Sequence, residues 1–305
     1  MQVLRIIFNY LVFPGFLFSA FIGLMTAWLD RKITARVQWR KGPPWYQNFV
    51  DILKLFSKEI ILPTQAKFSF FLSPFLGLSA VTIVATLLGK LLLNAQESFL
   101  GDLIVVIYLL AIPAISLILG ASSSKNPLAS VGASREIKLL LGYELPFILA
   151  ILVVIIKSNS IKLNEIINNQ ISFGSYIFSF SGIIAFLIAF LSTQAKLGFV
   201  PFDVSEAEQE IMAGVLIEYS GLLLAIFKLM RAILFYIMPI LLILLFMGKD
   251  LSLGFLILKY LLLVILIILL KNTNPRLRIE QVLKFFWGPL SFLGIIAIIL
   301  ALLGL

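Results

Sequence analysis

Apolar runs alternate with short polar connections along this chain, near residues 5–29, 69–92, 102–120, 138–157, 175–195, 212–247, 252–270 and 286–305. A helix rising about 1.5 Å per residue needs roughly 20 apolar residues to cross a hydrocarbon core of about 30 Å, so each run reads as a transmembrane helix. The pattern predicts an all-α polytopic membrane protein with eight spans. The sixth run, about 35 residues long, is too short for two crossings and too long for one upright helix. It predicts one long, tilted helix, with Pro239 as the place where it breaks. Between the first two runs, Trp45, Phe49, Ile52, Leu53, Leu55 and Phe56 interleave with Asp51, Lys54 and Lys58, after the turn Gly42-Pro43-Pro44. This predicts a helix lying in the cytoplasmic interface within a loop of about residues 30–68; a solvated basic loop is the plainer reading. Spans and connections occupy residues 1–305, which predicts a single integral membrane domain, with the apolar start read as the first span rather than a cleavable signal.

Composition supports the pattern: 61% of residues are hydrophobic, 13% are charged, and the mean hydropathy is +1.09. The net charge of +9 would point to nucleic acid in a soluble protein, but here the placement of the charges decides. Of 24 basic residues, sixteen fall in the loops after the first, third, fifth and seventh runs and five on the opposite side. The positive-inside rule then puts those loops in the cytoplasm and both termini outside, in a prokaryotic plasma membrane. With no cysteine and no histidine, the chain lacks the usual ligands of iron–sulfur clusters, haems and zinc, and it lacks thiol and imidazole nucleophiles. No catalytic centre, metal or cofactor is expected on it.

The acids are the informative residues. Asp203, Glu206, Glu208 and Glu210 put four carboxylates into eight residues between two apolar runs, in a chain with only 15 acids. A charge beside hydrocarbon costs several kcal/mol unless paired, hydrated or protonated, so such a group marks function. Ser205-Glu206-Ala207-Glu208 also reads as a capping box, which accounts for one or two of the acids. On one continuous helix, Glu206, Glu210, Gly214 and Glu218 would follow an i, i+4 stripe into the membrane. Lys228 and Arg231 share a face further on, where snorkelling to the outer headgroups is the plain alternative. In the fourth span Glu144 precedes Pro146, which predicts a kink beside a buried acid. Carboxylates about 6 Å apart at an effective dielectric near 20 repel by roughly 3 kcal/mol, which favours a shared proton. These residues are expected to form a hydrated proton path: Glu144, Asp203, Glu206, Glu208, Glu210 and Glu218, continued or closed by Lys228 and Arg231.

Three segments carry a resemblance. They are Asp30-Arg31-Lys32 through Arg40-Lys41-Gly42-Pro43 to Asp51-Ile52-Leu53-Lys54-Leu55-Phe56-Ser57-Lys58-Glu59, then Gly142-Tyr143-Glu144, then Pro201-Phe202-Asp203 through Glu206-Ala207-Glu208 to Glu218-Tyr219-Ser220-Gly221. The chain resembles the core membrane subunit of respiratory complex I and of membrane-bound [NiFe]-hydrogenases. That resemblance implies a non-redox subunit of a multisubunit oxidoreductase that links a soluble electron-transfer arm to proton or sodium translocation. It assigns the acids above to the coupling path. It assigns the loop from Asp30 to Lys67 to docking of the soluble arm, with Asp30, Arg31, Arg36, Arg40, Lys41, Asp51, Lys54, Lys58, Glu59 and Arg135 as contacts.

The implied partners are hydrogenase-like large and small subunits, small membrane subunits and antiporter-like subunits. Iron–sulfur clusters and a NiFe centre would sit in those partners. Pro44-Trp45-Tyr46-Gln47, and Arg231 where the quinone branch has a glutamate, resemble the ferredoxin-linked hydrogenase branch. A sulfur-reducing complex of the same architecture and a quinone-reducing NADH dehydrogenase, with quinone at the partner interface, are the alternatives within the family. Outside it stand a self-sufficient secondary ion transporter, whose paired broken helices in two similar halves are not seen here, and a passive scaffold for the soluble arm.

Overall fold

The computed structural model describes residues 2–63, 68–93 and 99–305, apart from the side chains of residues 2, 3, 208 and 209. Lys67 and the side chain of Glu208, both singled out above, lie outside the described residues. The chain is helical throughout: α1 (Gln2–Leu11), α2 (Phe16–Val37), α3 (Gln47–Phe56), α4 (Phe68–Leu93), α5 (Asp102–Leu109), α6 (Ile112–Ser123) and α7 (Pro127–Ser158). There follow α8 (Leu163–Phe173), α9 (Phe180–Lys196), the single turn α10 (Glu208–Ile211), α11 (Gly221–Phe246), α12 (Leu253–Thr273), α13 (Ile279–Phe285) and α14 (Ser291–Leu302).

Among the described residues, seven helical stretches are long and apolar enough to cross a bilayer, α1–α2, α5–α6 and α13–α14 each counting as one. The fifth expected span, α9, is apolar but only 17 residues long, about 26 Å at helical rise. Local chemistry sets the ends: the Asn126 side chain caps α7 by accepting from the Leu128 N–H at 2.8 Å, with Pro127 in the first turn where no N–H is needed. The Ser179 hydroxyl caps α9 in the same way through the Gly182 N–H.

α11 is the axis of the bundle and is buried along nearly all its length. Around it lie α2, α4, α9 and α12, with α6, α7 and α14 completing the bundle. The approach of α2 is so close that a Cβ on Gly23 would sit 2.5 Å from the Ala232 carbonyl oxygen. Burial of Leu, Ile and Phe on every side explains why this helix runs unbroken through Pro239, which the sequence pattern takes as a break. α7 likewise continues through Pro146.

The expected long sixth helix is shorter at its start. Residues 212–220 leave the helix, because Met212 (φ 56°), Gly214 (φ 50°) and Gly221 (φ 53°) adopt left-handed backbone. The preceding segment holds only a 3₁₀ turn at Val204–Glu206 and the short α10, which places Ser205 inside the 3₁₀ turn rather than at a helix N-cap. α3 is present, packed on α2 and α11 at the end of the bundle where the loops after the first, third, fifth and seventh runs meet.

Candidate functional site

The absence of a continuous helix over 203–220 removes the predicted i, i+4 stripe, and the acids are instead distributed by the turns. Glu210 points to the surface and takes the Arg135 guanidinium at 2.5 Å; Arg135 also donates to the Val204 carbonyl at 3.4 Å. Glu218 accepts from the Asn126 amide at 2.5 Å, so the cap of α7 also anchors this loop. Next to it the Tyr219 ring stacks on Phe70 at 4.2 Å, and its hydroxyl reaches Ser73 at 2.9 Å and the Phe70 carbonyl at 3.0 Å. Gly221 closes the segment where only glycine fits, since a Cβ there would lie 2.5 Å from the Glu59 carbonyl oxygen.

Glu206 turns inward. Both of its carboxylate oxygens accept from Arg231 of α11, a two-pronged pairing that suits a planar guanidinium. Arg231 therefore does not snorkel to the opposite headgroups; the broken segment brings the acid to it. The pair forms one wall of a cavity of about 430 Å³ among α2, α3, α6, α7, α11 and the 196–206 turn. Acids on its lining are Asp30, Asp51, Glu136, Asp203 and Glu206; bases are Arg31, Lys196, Lys228, Arg231, Lys271 and Arg276. So many charges around one cavity are tolerable because it is partly open to solvent and nearly all are paired: Arg31 with Asp51 at 2.9 Å, Lys271 with Asp30 at 2.7 Å, and Arg276 with Asp203 at 2.8 Å.

The two predicted groups of residues thus merge. Asp203, Glu206, Lys228 and Arg231, expected in the ion path, share this cavity with Asp30, Arg31 and Asp51, expected at the docking surface. Glu210 and Glu218 lie outside it. Glu144 reaches it through Lys196, whose ammonium is 2.8 Å from the Glu144 carboxylate and lies over the Phe147 and Tyr143 rings at 4.5 and 5.2 Å. Arg36, Arg40, Lys41, Lys54, Lys58 and Glu59 are exposed.

Lys196, Lys271, Arg276 and Glu136 are cavity residues that the sequence pattern presents only as topology charges or does not single out. The available signal was position: Lys196 closes the run just before the acidic segment, and Lys271 and Arg276 lie in the loop that the topology places on the same side. Outside the spans, burial raises the Asp203 carboxyl above its ordinary value although Arg276 opposes it. Burial acts in the same sense on Asp51, but hydrogen bonds from Arg31 and Gln47 prevail and hold that carboxyl low. Among the described residues, no three His, Cys, Asp or Glu side chains converge as a metal site.

Comparison with known proteins fits this arrangement. A family model described as NADH dehydrogenase matches residues 10–302. Hydrogenase-4 component C of Escherichia coli (strain K12) is 33% identical over 270 residues, covering 85% of each chain. A subunit of the NADH-quinone oxidoreductase of Dehalococcoides mccartyi is 32% identical over 292 residues, covering 90% of this chain and 80% of its own. Among solved structures, a chain of the membrane-bound sulfane sulfur reductase, an archaeal respiratory membrane complex, superposes with a TM-score of 0.87 at 27% identity, covering 97% of this chain and 99% of that one. The chain belongs to the NADH dehydrogenase family, as a membrane core subunit of the complex I-like and hydrogenase-like energy-converting complexes.

Proposed function

We propose that this subunit carries no redox chemistry of its own and couples electron transfer in a soluble, [NiFe]-hydrogenase-like arm to movement of protons or sodium through the membrane. The observation that carries the proposal is the shared cavity. Residues of the first loop, Arg31 and Asp51, and residues of α11, Lys228 and Arg231, line the same half-open cavity as Glu206 and Asp203. A charge or a displacement introduced by a docked partner at the loop would be felt by Glu206 across that space.

In this reading Glu206 and Arg231 form a switchable pair. Held by Arg231, Glu206 is kept out of the path; when the field of the arm weakens the pair, its carboxylate is released to pass ions inward. Glu144 with Lys196 is the next station inward. The exposed cations Arg36, Arg40, Lys41, Lys54 and Lys58, with Glu59, form the surface that meets the arm, and the basic loops face the cytoplasm with both termini outside. Pro44-Trp45-Tyr46-Gln47 and the cation at Arg231 favour the ferredoxin-linked hydrogenase branch.

The test is replacement of Glu206 or Glu144 by glutamine in the intact complex. Ion transport per electron should collapse while the complex remains assembled; unchanged coupling in both variants disproves the relay. Branch is tested separately on the purified complex: nickel and hydrogen evolution support the hydrogenase arm, whereas bound quinone and inhibition by quinone-site ligands support the NADH dehydrogenase alternative.

A further inference from the structure

Buried polar atoms without a hydrogen-bond partner concentrate in one place. Of six such side-chain atoms among the described residues, four belong to residues 192–203: Ser192 Oγ, Thr193 Oγ1, Gln194 Oε1 and Asp203 Oδ1. Ser192, Thr193 and Gln194 are consecutive on α9 and completely buried. Hydroxyls inside helices commonly bond back to the carbonyl one turn earlier, as those of Ser122 and Ser158 do. Neither Ser192 nor Thr193 does so. A buried polar group left unpaired costs free energy, so three in a row within an apolar helix call for a ligand.

Helical spacing puts Ser192 and Thr193 on the face of α9 that carries Lys196, one turn further from the loop end. The seam between α7 and α9 is antiparallel: Lys196 meets Glu144 at 2.8 Å near one end, and the Lys157 ammonium donates to the Ser179 hydroxyl at 2.5 Å at the other. One turn back along α9 therefore lies opposite one turn on along α7, at Phe147, which is completely buried and whose ring centre is 4.5 Å from the Lys196 ammonium. Gln194 is tied to a different side. Its amide donates to the Val200 carbonyl at 2.8 Å and the Ile267 carbonyl at 3.4 Å, which leaves Oε1 as its one unpaired atom. Val200 belongs to the turn that carries Asp203 into the cavity wall. That wall includes Lys196 and Asp203 but not Glu144, so a proton leaving the cavity has still to cross the seam.

The chemistry of the unpaired atoms selects the ligand. Gln194 Oε1 and an ionised Asp203 only accept, whereas the two hydroxyls both donate and accept. A sodium ion beside Ser192 and Thr193 would find no free counter-charge, because the Glu144 carboxylate already holds the ammonium of Lys196, whose side chain is 1% exposed. Water meets both demands. We propose that Ser192, Thr193 and Gln194 hold ordered water along α9, and that this water passes protons from the Asp203 turn around the Lys196 ammonium to Glu144. Each water accepts a proton on one side and releases one on the other. The water site stands on burial and unpaired atoms alone; its use in coupling rests on the proposed relay and makes the ion at this step a proton rather than sodium.

The test uses the intact complex in nanodiscs. X-ray radiolysis converts bound water into hydroxyl radicals that add to the nearest ring, and mass spectrometry reads the added oxygen. Phe147 should be labelled in the parent despite its burial. Ser192→Ala combined with Thr193→Val removes both hydroxyls and should slow that labelling about tenfold. Ion transport per electron should fall at least about threefold in the same variant, with the complex assembled. Thr193→Ser, which keeps a hydroxyl, should retain both the label and the transport.

An unlabelled Phe147 in the parent, or equal labelling in the double variant, overturns the water site. If the hydroxyls were dry, their removal would also leave transport unchanged and the midpoint of thermal inactivation equal or higher. Loss of the label with full transport removes the water from the ion path. Loss of both in the double variant, beside full coupling in Glu144→Gln, keeps the water path and removes Glu144 from the relay. Should the double variant fail to assemble, Thr193→Val alone supplies both measurements.

Discussion

Two neighbouring stretches of the chain, residues 201–220 and 221–246, have opposite structures. The second is a helix of 26 residues, buried on all sides, and even Pro239 does not interrupt it. The first is a series of short turns held by four side chains from three helices: Asn126, which caps α7, and Arg135 within it, Ser73 of α4, and Arg231 of α11. The difference lies in what each must satisfy. Leucines and isoleucines need only a close-packed surface, which a regular helix provides at every turn. Carboxylates near a membrane core each need a cation or donor, and those partners sit at irregular positions, so the backbone gives up helical regularity to reach them.

The largest effect is expected where the two stretches meet. Arg231→Ala leaves Glu206 in the cavity wall without its guanidinium and should cost roughly 3 kcal/mol, with loss of ion-coupled turnover. Arg231→Lys restores charge but not the fork, so it should recover assembly better than coupling. Thermal inactivation of the purified complex and ion transport per electron read the two effects. If Arg231→Ala were as stable and as coupled as the parent, the partner-driven account of the 201–220 segment would fall.

Gly221 comes next, at the junction itself. Alanine there meets both a left-handed φ and the Glu59 carbonyl, so Gly221→Ala should destabilise by about 2 kcal/mol or more. Gly254 in α12 is the control: nothing lies within 4 Å of its would-be Cβ, and Gly254→Ala should be neutral or stabilising by up to about 1 kcal/mol. Equal effects at the two positions would show that the junction is not specially constrained. Tyr219→Phe is milder. It keeps the stack on Phe70 and loses only the hydroxyl's bonds to Ser73 and the Phe70 carbonyl, roughly 1 kcal/mol in the same thermal assay. An unchanged midpoint would mean that the stack alone anchors this loop.

This contrast also explains what was legible in the sequence. The spans could be read because burial in lipid or in a helical bundle imposes the same local requirement, apolar residues for some twenty positions. α3 was legible less firmly, since Phe49, Ile52 and Phe56 interleaved with Asp51 and Lys54 suggest a helix while a solvated basic loop is the plainer reading. The course of 203–220 was not, because helical spacing of Glu206, Glu210 and Glu218 is a local property, whereas Glu206 is positioned by Arg231, 25 residues away, and Glu218 by Asn126, 92 residues away. Arg231 stands out in an apolar run, but its pairing cannot be foreseen from a straight helix. Lys196, Lys271 and Arg276 were hidden in another way: a base at the end of an apolar run satisfies the topology rule whether or not it also faces a carboxylate.

Pro239 should give the smallest effect and the cleanest probe of the helical side of the comparison. A proline inside a helix lacks the N–H that would bond the carbonyl four residues earlier, here Phe235, and it commonly costs about 3 kcal/mol in an exposed helix. Within α11 that cost is already offset, because the side chains on both sides of Pro239 are buried in well-packed surroundings that keep the helix continuous through it. Pro239→Ala would regain a donor, about 1 kcal/mol. It would lose some ring packing and would free the unfolded chain by about 0.4–1 kcal/mol. These terms oppose one another, so the midpoint of thermal inactivation should stay within about 1 kcal/mol of the parent and coupling should be unchanged. A loss of coupling with stability intact would identify Pro239 as a working hinge, and α11 would then belong with the irregular segment as a moving part rather than with the fixed frame against which that segment is held.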